Sequence, residues 1–186
     1  MTETMTTRTS PQDACVQILT RILDQITYHA EDRKVWAVAI GRSWMIKMQL
    51  HRADTPRVVG ERGSHIKAID ALTTVIGAKS GVTIRSQLLE PEVGSTERYH
   101  KFKPAAAWNS AEVKKIAEAI CEATFSAPAK IEIHDGDDFT STLEVIVDRS
   151  ENHMLVDTVC DAMKVLFNAI GKANGRILFV DKVVGS

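Results

Sequence analysis

The stretch Val58-Val59-Gly60-Glu61-Arg62-Gly63-Ser64-His65-Ile66 decides the reading of this chain. A β-branched pair runs into two glycines three positions apart, and Ile66, Ile69, Leu72 and Ile76 follow at helical spacing. The pattern predicts helix, tight glycine loop, helix. Glycine lacks Cβ, so such a loop can take unusual dihedrals and let another backbone come close. The amides at the start of the helix behind it favour an anion. A phosphodiester meets both conditions. The same residues also allow a plainer reading, a tight turn between two packed helices.

On the N-terminal side, Pro11 opens a helix whose apolar positions Cys15, Ile18, Leu19, Ile22, Leu23 and Ile26 make one face and which stops near Tyr28. The charged cluster Glu31 to Lys34 connects it to two strands, Val35 to Ile40 and Trp44 to Leu50, around the turn Gly41-Arg42-Ser43. In the second strand Trp44, Ile46, Met48 and Leu50 alternate with Met45, Lys47 and Gln49, so one face is expected to be buried. A short helical turn from Pro56 precedes the glycine loop. The helix from Ser64 to about Ala78, a turn at Gly81 and a strand from Val82 to Leu88 follow it. The expected order is α-β-β-α-α-β.

That order, with a GxxG loop between its paired helices, resembles the KH RNA-binding domain of the prokaryotic type. It is most similar to the small bacterial KH proteins thought to act as RNA chaperones. The resemblance implies three helices on one face of a three-stranded sheet. It also implies a loop that clamps the sugar-phosphate backbone of about four nucleotides. It places Gly60, Glu61, Arg62 and Gly63 in the clamp, with Arg57, His65 and Lys67 as flanking phosphate or base contacts. Val58, Val59 and Ile66 would supply an apolar floor for bases, each being equally readable as a helix-packing residue. Lys47 and Arg85 on the strands would border the groove or stand as solvated charge. The chain departs from the family at Glu61, where a basic or small residue is more usual. The acid either weakens the contact or pairs with a neighbouring arginine and points away.

From Asn109 the pattern returns. Val113, Ile116, Ile120 and Phe125 fall 97 positions after Val16, Leu19, Leu23 and Tyr28, and Leu143, Val145 and Val147 fall 97 after Ile46, Met48 and Leu50. Beyond the loop the offset becomes 94, so that Cys160, Met163, Leu166 and Ile170 answer Ile66, Ile69, Leu72 and Ile76, and Gly171 and Gly175 answer Gly77 and Gly81. The positions of Gly60 and Gly63 are held by Met154 and Asp157. An α+β protein is therefore expected, with two tandem KH-like domains of the same α-β-β-α-α-β order: 11–90 with the loop and 109–186 as a degenerate copy without GxxG. A linker at 91–108 is punctuated by Pro91, Gly94 and Pro104. Its Arg98, Tyr99, His100, Lys101, Phe102 and Lys103 could contact a nucleic acid or pack on a domain surface.

Charge follows the same division. Residues 42–85 hold eight basic and three acidic residues, net +5, whereas residues 139–181 hold four basic and six acidic, net −2. Only the first copy looks suited to phosphates. The whole chain carries a formal net charge of −1 over 186 residues, which argues against a basic non-specific coat. Hydrophobic residues at 44% and charged residues at 25% fit a packed, water-soluble domain protein. Met1 to Ser10 lack the apolar core of a signal peptide and no apolar run could span a bilayer, so a cytoplasmic, non-membrane protein is expected.

Enzyme readings find little support. Gly77-Ala78-Lys79-Ser80 lacks the glycine spacing and Gly-Lys-Ser order of a nucleotide-binding loop and reads as a helix end. Asp135-Gly136-Asp137-Asp138 reads as a hairpin turn rather than a cation loop. Cys15, Cys121 and Cys160 are unpaired at metal-ligand spacing and read as small buried side chains. No catalytic residue, metal or cofactor is assigned. The expected function is non-enzymatic binding of short single-stranded RNA, or single-stranded DNA, through the first-copy loop, with a protein partner or homodimer served by the second copy. The alternative is a protein-protein or self-association scaffold built from KH-like domains.

Overall fold

The computed structural model describes residues 9–90, 108–137 and 139–185. The expected linker segment 91–107 lies outside them, as does Asp138. The first half runs α1 (Pro11–Ile26), β1 (Lys34–Ile40), β2 (Ser43–Gln49), α2 (Thr55–Val59), α3 (Ser64–Lys79) and β3 (Thr83–Leu88). Ser10 caps α1 by accepting from the Asp13 amide, with Pro11 in the first turn, where its missing N–H costs nothing. The apolar positions read from the sequence form the buried face of α1. Gly41, at φ +61°, turns β1 back antiparallel on β2, and β3 joins the other side of β2 in parallel. The parallel pairing requires a crossover, which α2, the loop and α3 provide.

The second half runs α4 (Ser110–Thr124), β4 (Lys130–Asp135), β5 (Thr140–Val147), α5 (His153–Ala173) and β6 (Ile177–Val184). Its sheet repeats the first, with β4 antiparallel to β5 and β5 parallel to β6. The molecule is thus α+β with two three-stranded sheets. The repeat is visible atom by atom. A Cβ on Gly77 would meet the Val82 carbonyl oxygen at 2.6 Å, and one on Gly171 would meet the Arg176 carbonyl oxygen at 2.8 Å, so both helices lie against the strand that follows at the same register. Gly81 and Gly175 turn those corners at φ +69° and +70°.

The expectation of an identical order in both halves needs one correction. The second half is α-β-β-α-β, because a single 21-residue α5 replaces α2, the loop and the 16-residue α3. Gly60 and Gly63 break off the helix that Pro56 starts in the first half, whereas residues 153–158 contain no glycine and run on as continuous helix.

Each sheet turns one face to helices, and the helices of the two halves pack on each other, giving layers in the order sheet, helices, helices, sheet. The meeting is pseudo-twofold. α1 meets its counterpart α4, α3 meets its counterpart α5, and both cross pairs, α1 with α5 and α3 with α4, also touch. Lys79 Nζ, at the end of α3, donates to the carbonyls of Glu122, at 2.8 Å, and Phe125. Asn174 Nδ2, at the end of α5, reaches the Gln25 carbonyl at 3.5 Å, and Gln25 is the repeat counterpart of Glu122. One buried hydrophobic cluster spans both halves. The three cysteines are buried and free, and burial pushes the Cys15 and Cys121 thiols up to about 12 and Cys160 up to about 11, which leaves them unreactive at neutral pH.

Candidate nucleic-acid interface

The loop is built where α2 fails. Pro56 starts that five-residue helix, and Gly60 ends it with φ +72° and ψ 173°, a conformation that is essentially glycine-only. Glu61–Gly63 form one tight 3-10 turn, within which Arg62 has φ 51° and ψ 28° and Gly63 has φ +76° and ψ 21°. Three of the four loop residues are therefore left-handed. Arg62 is the single non-glycine residue with positive φ among the described residues. An L-residue held there costs about 1–2 kcal/mol, a strain carried where the side chain at the tip stands out into solvent.

Behind the loop, α3 begins without any side-chain cap. The other long helices are all capped: α1 by Ser10, α4 by Asn109 and α5 by Asn152, whose side chain accepts from the Met154 and Leu155 amides. Among the long helices only α3, behind the glycine loop, starts with no side-chain acceptor; its first amide, Ser64 N–H, donates to the Glu61 carbonyl, and that end carries the positive pole of the helix.

The expected site residues separate into two groups. Glu61, Arg62 and Lys67 are exposed, and Val59 and Ile66 are half-buried beside them. Glu61 has no ion-pair partner among the described residues, so its carboxylate is not neutralised by a neighbouring arginine. Val58 is fully buried, because it packs into the core, and cannot form a floor for bases. Arg57 and His65 brace the loop. The Arg57 guanidinium lies 4.0 Å over the Tyr28 ring, at the end of α1. The Arg57 carbonyl and His65 Nδ1 lie 2.6 Å apart, which makes Nδ1 the donor. The imidazole sits under Gly60 and fills the space that a Cβ there would take. Arg85 folds onto α3, where its guanidinium meets Asp70 Oδ2 at 3.2 Å and Thr74 Oγ1 at 3.3 Å, and does not border the loop as an unpaired cation.

A residue missed in the sequence completes the brace. Asp54, buried just before α2, accepts from the amides of Tyr28 at 3.1 Å and His29 at 2.9 Å, and its Oδ2 lies 3.0 Å from His29 Nδ1. The signal was its repeat counterpart, since Glu151, 97 positions on, is also buried and accepts from the Ala127 amide. Both acids tie the turn after the first helix of their half. In the acidic turn, Asp135 and Asp137 are taken up by hydrogen bonds within the hairpin. Asp137 Oδ1 accepts from the Phe139 and Thr140 amides at 2.9 and 2.7 Å and from Thr140 Oγ1 at 2.8 Å, and Asp135 accepts from Ser141 Oγ at 2.6 Å.

Compared with known proteins, the chain matches no protein-family model and no curated protein sequence. No described helix is long and apolar enough to cross a membrane.

Proposed function

We propose that the chain is a non-enzymatic RNA-binding protein of KH-like build, which holds a short single-stranded RNA at Gly60–Gly63. The observation that carries this reading is the start of α3, which has no side-chain cap, behind a left-handed glycine loop with an exposed arginine at its tip. Phosphate oxygens accept well from first-turn amides and from a guanidinium, and a loop without β-carbons lets a backbone approach both. The antiparallel hairpin followed by a parallel third strand supports the prokaryotic-type arrangement. The second half is the degenerate copy. Asn152 occupies the first-turn amides of α5, and the continuous helix leaves no clamp. Glu61 sets a modest affinity, since its unpaired charge stands next to the phosphate path.

The test replaces Glu61 and Arg62 together by aspartate and leaves both glycines alone. Both side chains are exposed, and aspartate tolerates the left-handed Arg62 position at least as well as arginine, so folding stability is not expected to fall by more than about 0.5 kcal/mol. Losing a charge-assisted contact and gaining repulsion lowers binding of single-stranded RNA by about 1–3 kcal/mol, a ten- to hundredfold loss. The control, Asn152→Asp with His153→Asp, keeps a good helix cap and leaves binding unchanged. A folded loop variant that binds as well as the parent would remove the loop from the site and the KH-like reading with it.

A further inference from the structure

The layer order puts both sheets on the outside of the molecule. In each strand alternate residues point inward to the helices, and the others form an outer face that no described helix covers. On the first sheet, Val35, Ala37, Trp44, Ile46, Met48 and Ile84 point inward. The register then puts Trp36 opposite Lys47 and Val38 opposite Met45 on the outer face, with Ile40 at its end, 52% exposed. On the second sheet, the outer face carries Ile146, Ile177, Phe179 and Val183. Solvated sheet faces are normally polar, and contiguous apolar patches on a soluble protein mark contact surfaces. Of the seven exposed large hydrophobic residues among the described ones, four lie on these outer faces: Ile40 in β1 and Ile177, Phe179 and Val183 in β6.

The two faces carry opposite charge. No strand of the first sheet contains an acid, and its outer face holds Lys34 and Lys47, neither of which has an ion-pair partner among the described residues. Arg85 is already bound to Asp70 and is not counted. On the second sheet Glu132 lies directly opposite Glu144, and Glu144 directly beside Asp181, so three acids stand in a row across three strands. Like charges opposite one another destabilise a sheet. Lys130 pairs with Glu132, and His134 Nε2 lies 3.6 and 3.7 Å from Glu132 and Glu144, but Asp181 has no partner among the described residues.

We infer that the outer face of the first sheet of one copy docks on the outer face of the second sheet of another copy, so that the chain associates head to tail. The apolar strips match in kind, and two unpaired lysines on one face meet an acidic row on the other in which Asp181 has no partner among the described residues. Like faces do not pair: first sheet on first sheet sets lysines against lysines, and second on second sets acid row against acid row. A nucleic acid would suit the lysine face alone and would be repelled by the other, whereas a second copy satisfies both. Because the two surfaces differ and lie on opposite sides of the molecule, the contact is heterologous and either closes into a ring or extends. The loop at Gly60–Gly63 belongs to neither face, so this association does not depend on the RNA reading.

The test measures the mass of the purified, nucleic-acid-free chain by light scattering over a wide concentration range at low salt. The parent is expected to exceed the single-chain mass of 20.5 kDa progressively. Lys34→Glu with Lys47→Glu removes one face, and Glu144→Lys with Asp181→Lys removes the other, so each variant alone is expected at the single-chain mass. In their equimolar mixture the unchanged acid row of one variant meets the unchanged lysines of the other, and the two reversed faces also match, so the mixture is expected to exceed the single-chain mass again. Phe179→Ser, which changes no charge, is expected to weaken association of the parent, and circular dichroism shows whether each variant is folded. A parent that stays at the single-chain mass throughout, or a mixture of folded variants that does not pair, overturns the inference. If the lysine variant loses binding to an oligouridylate while the mass of the parent and of the variant is the same, the first sheet is a nucleic-acid surface and the inference fails.

Discussion

Gly60 lies directly over the His65 ring: a β-carbon built on Gly60 falls 2.5 Å from His65 Cγ and 2.7 Å from Nδ1. The ring cannot swing aside freely, because its Nδ1 is hydrogen-bonded to the Arg57 carbonyl at 2.6 Å. The two glycines of the loop therefore have different reasons to be glycine. Gly63 needs only its left-handed φ, since nothing lies within 4 Å of a β-carbon there. Gly63→Ala is expected to cost about 1 kcal/mol. Gly60→Ala combines a glycine-only conformation with a collision and should cost about 3 kcal/mol or more. Adding His65→Ala to Gly60→Ala removes the collision and should recover part of the loss, a non-additive pair readable in denaturant melts. Equal costs for the two glycines would show that the ring is not a strut.

Arg62 should separate stability from binding. Its φ of 51° strains an L-residue, so Arg62→Gly relieves about 1–2 kcal/mol of backbone strain and gives back about 0.5–1 kcal/mol in chain entropy. The variant is expected to be as stable as the parent or slightly more so. Its RNA affinity is expected to fall about tenfold, because the guanidinium at the tip is gone. A variant that is more stable and binds unchanged would mean that the strained arginine serves neither fold nor phosphate.

Features local in the chain could be read in advance: the helix periods, the hairpin around Gly41, the helix start at Pro56 and the loop at Gly60–Gly63 all follow from residue types a few positions apart. The repeat was legible too, because equivalent buried positions recur at fixed offsets. Its one misreading came from carrying α2 across the three-residue deletion, where the missing breakers mattered more than the retained apolar pattern. The layer packing was not legible, since a helix that is buried on two sides shows only a wider apolar stripe. Nor were the roles of Arg57 and His65. A cation near a glycine loop reads as a ligand contact until the structure lays it on Tyr28, 29 positions away.

The aspartates of the second half imply an acid limit to stability. Asp137 is held below its ordinary value of 3.8 by the Phe139 amide, then by the Thr140 hydroxyl; Asp148 by the hydroxyl and amide of Ser150; and Asp157 by Lys182 at 2.6 Å. A carboxyl whose pKa is depressed on folding contributes stability above its unfolded value, and that contribution is lost as the pH falls through the folded value. Melting temperature is therefore expected to drop as the pH is taken below 3.8, not between neutrality and that point on account of these groups. Asp137→Asn should lower stability at neutral pH and flatten the acid dependence. An acid limb as steep as the parent's in that variant would place the dependence on other groups.

Asp54 and Glu151 offer the sharpest comparison, because they are repeat counterparts with unequal loads. Asp54 is 1% exposed and takes three donors, the amides of Tyr28 and His29 and His29 Nδ1, whereas Glu151 is 7% exposed and takes the Ala127 amide. A hydrogen bond to a charged group contributes about 1.5–3 kcal/mol, and a buried donor left alone adds its desolvation cost. Asp54→Ala is expected to cost at least about 3 kcal/mol and Glu151→Ala about 1.5 kcal/mol. The two should also differ in function. Asp54 fixes the chain at Tyr28, on which Arg57 stacks, and the Arg57 carbonyl orients His65 beneath Gly60. Asp54→Asn, measured well below its melting temperature, should therefore weaken RNA binding through the shape of the loop, while Glu151→Gln should leave binding as it is. Equal destabilisation by the two alanine variants would refute the unequal loads. Unchanged RNA affinity in Asp54→Asn would break the chain of contacts from Asp54 to the loop.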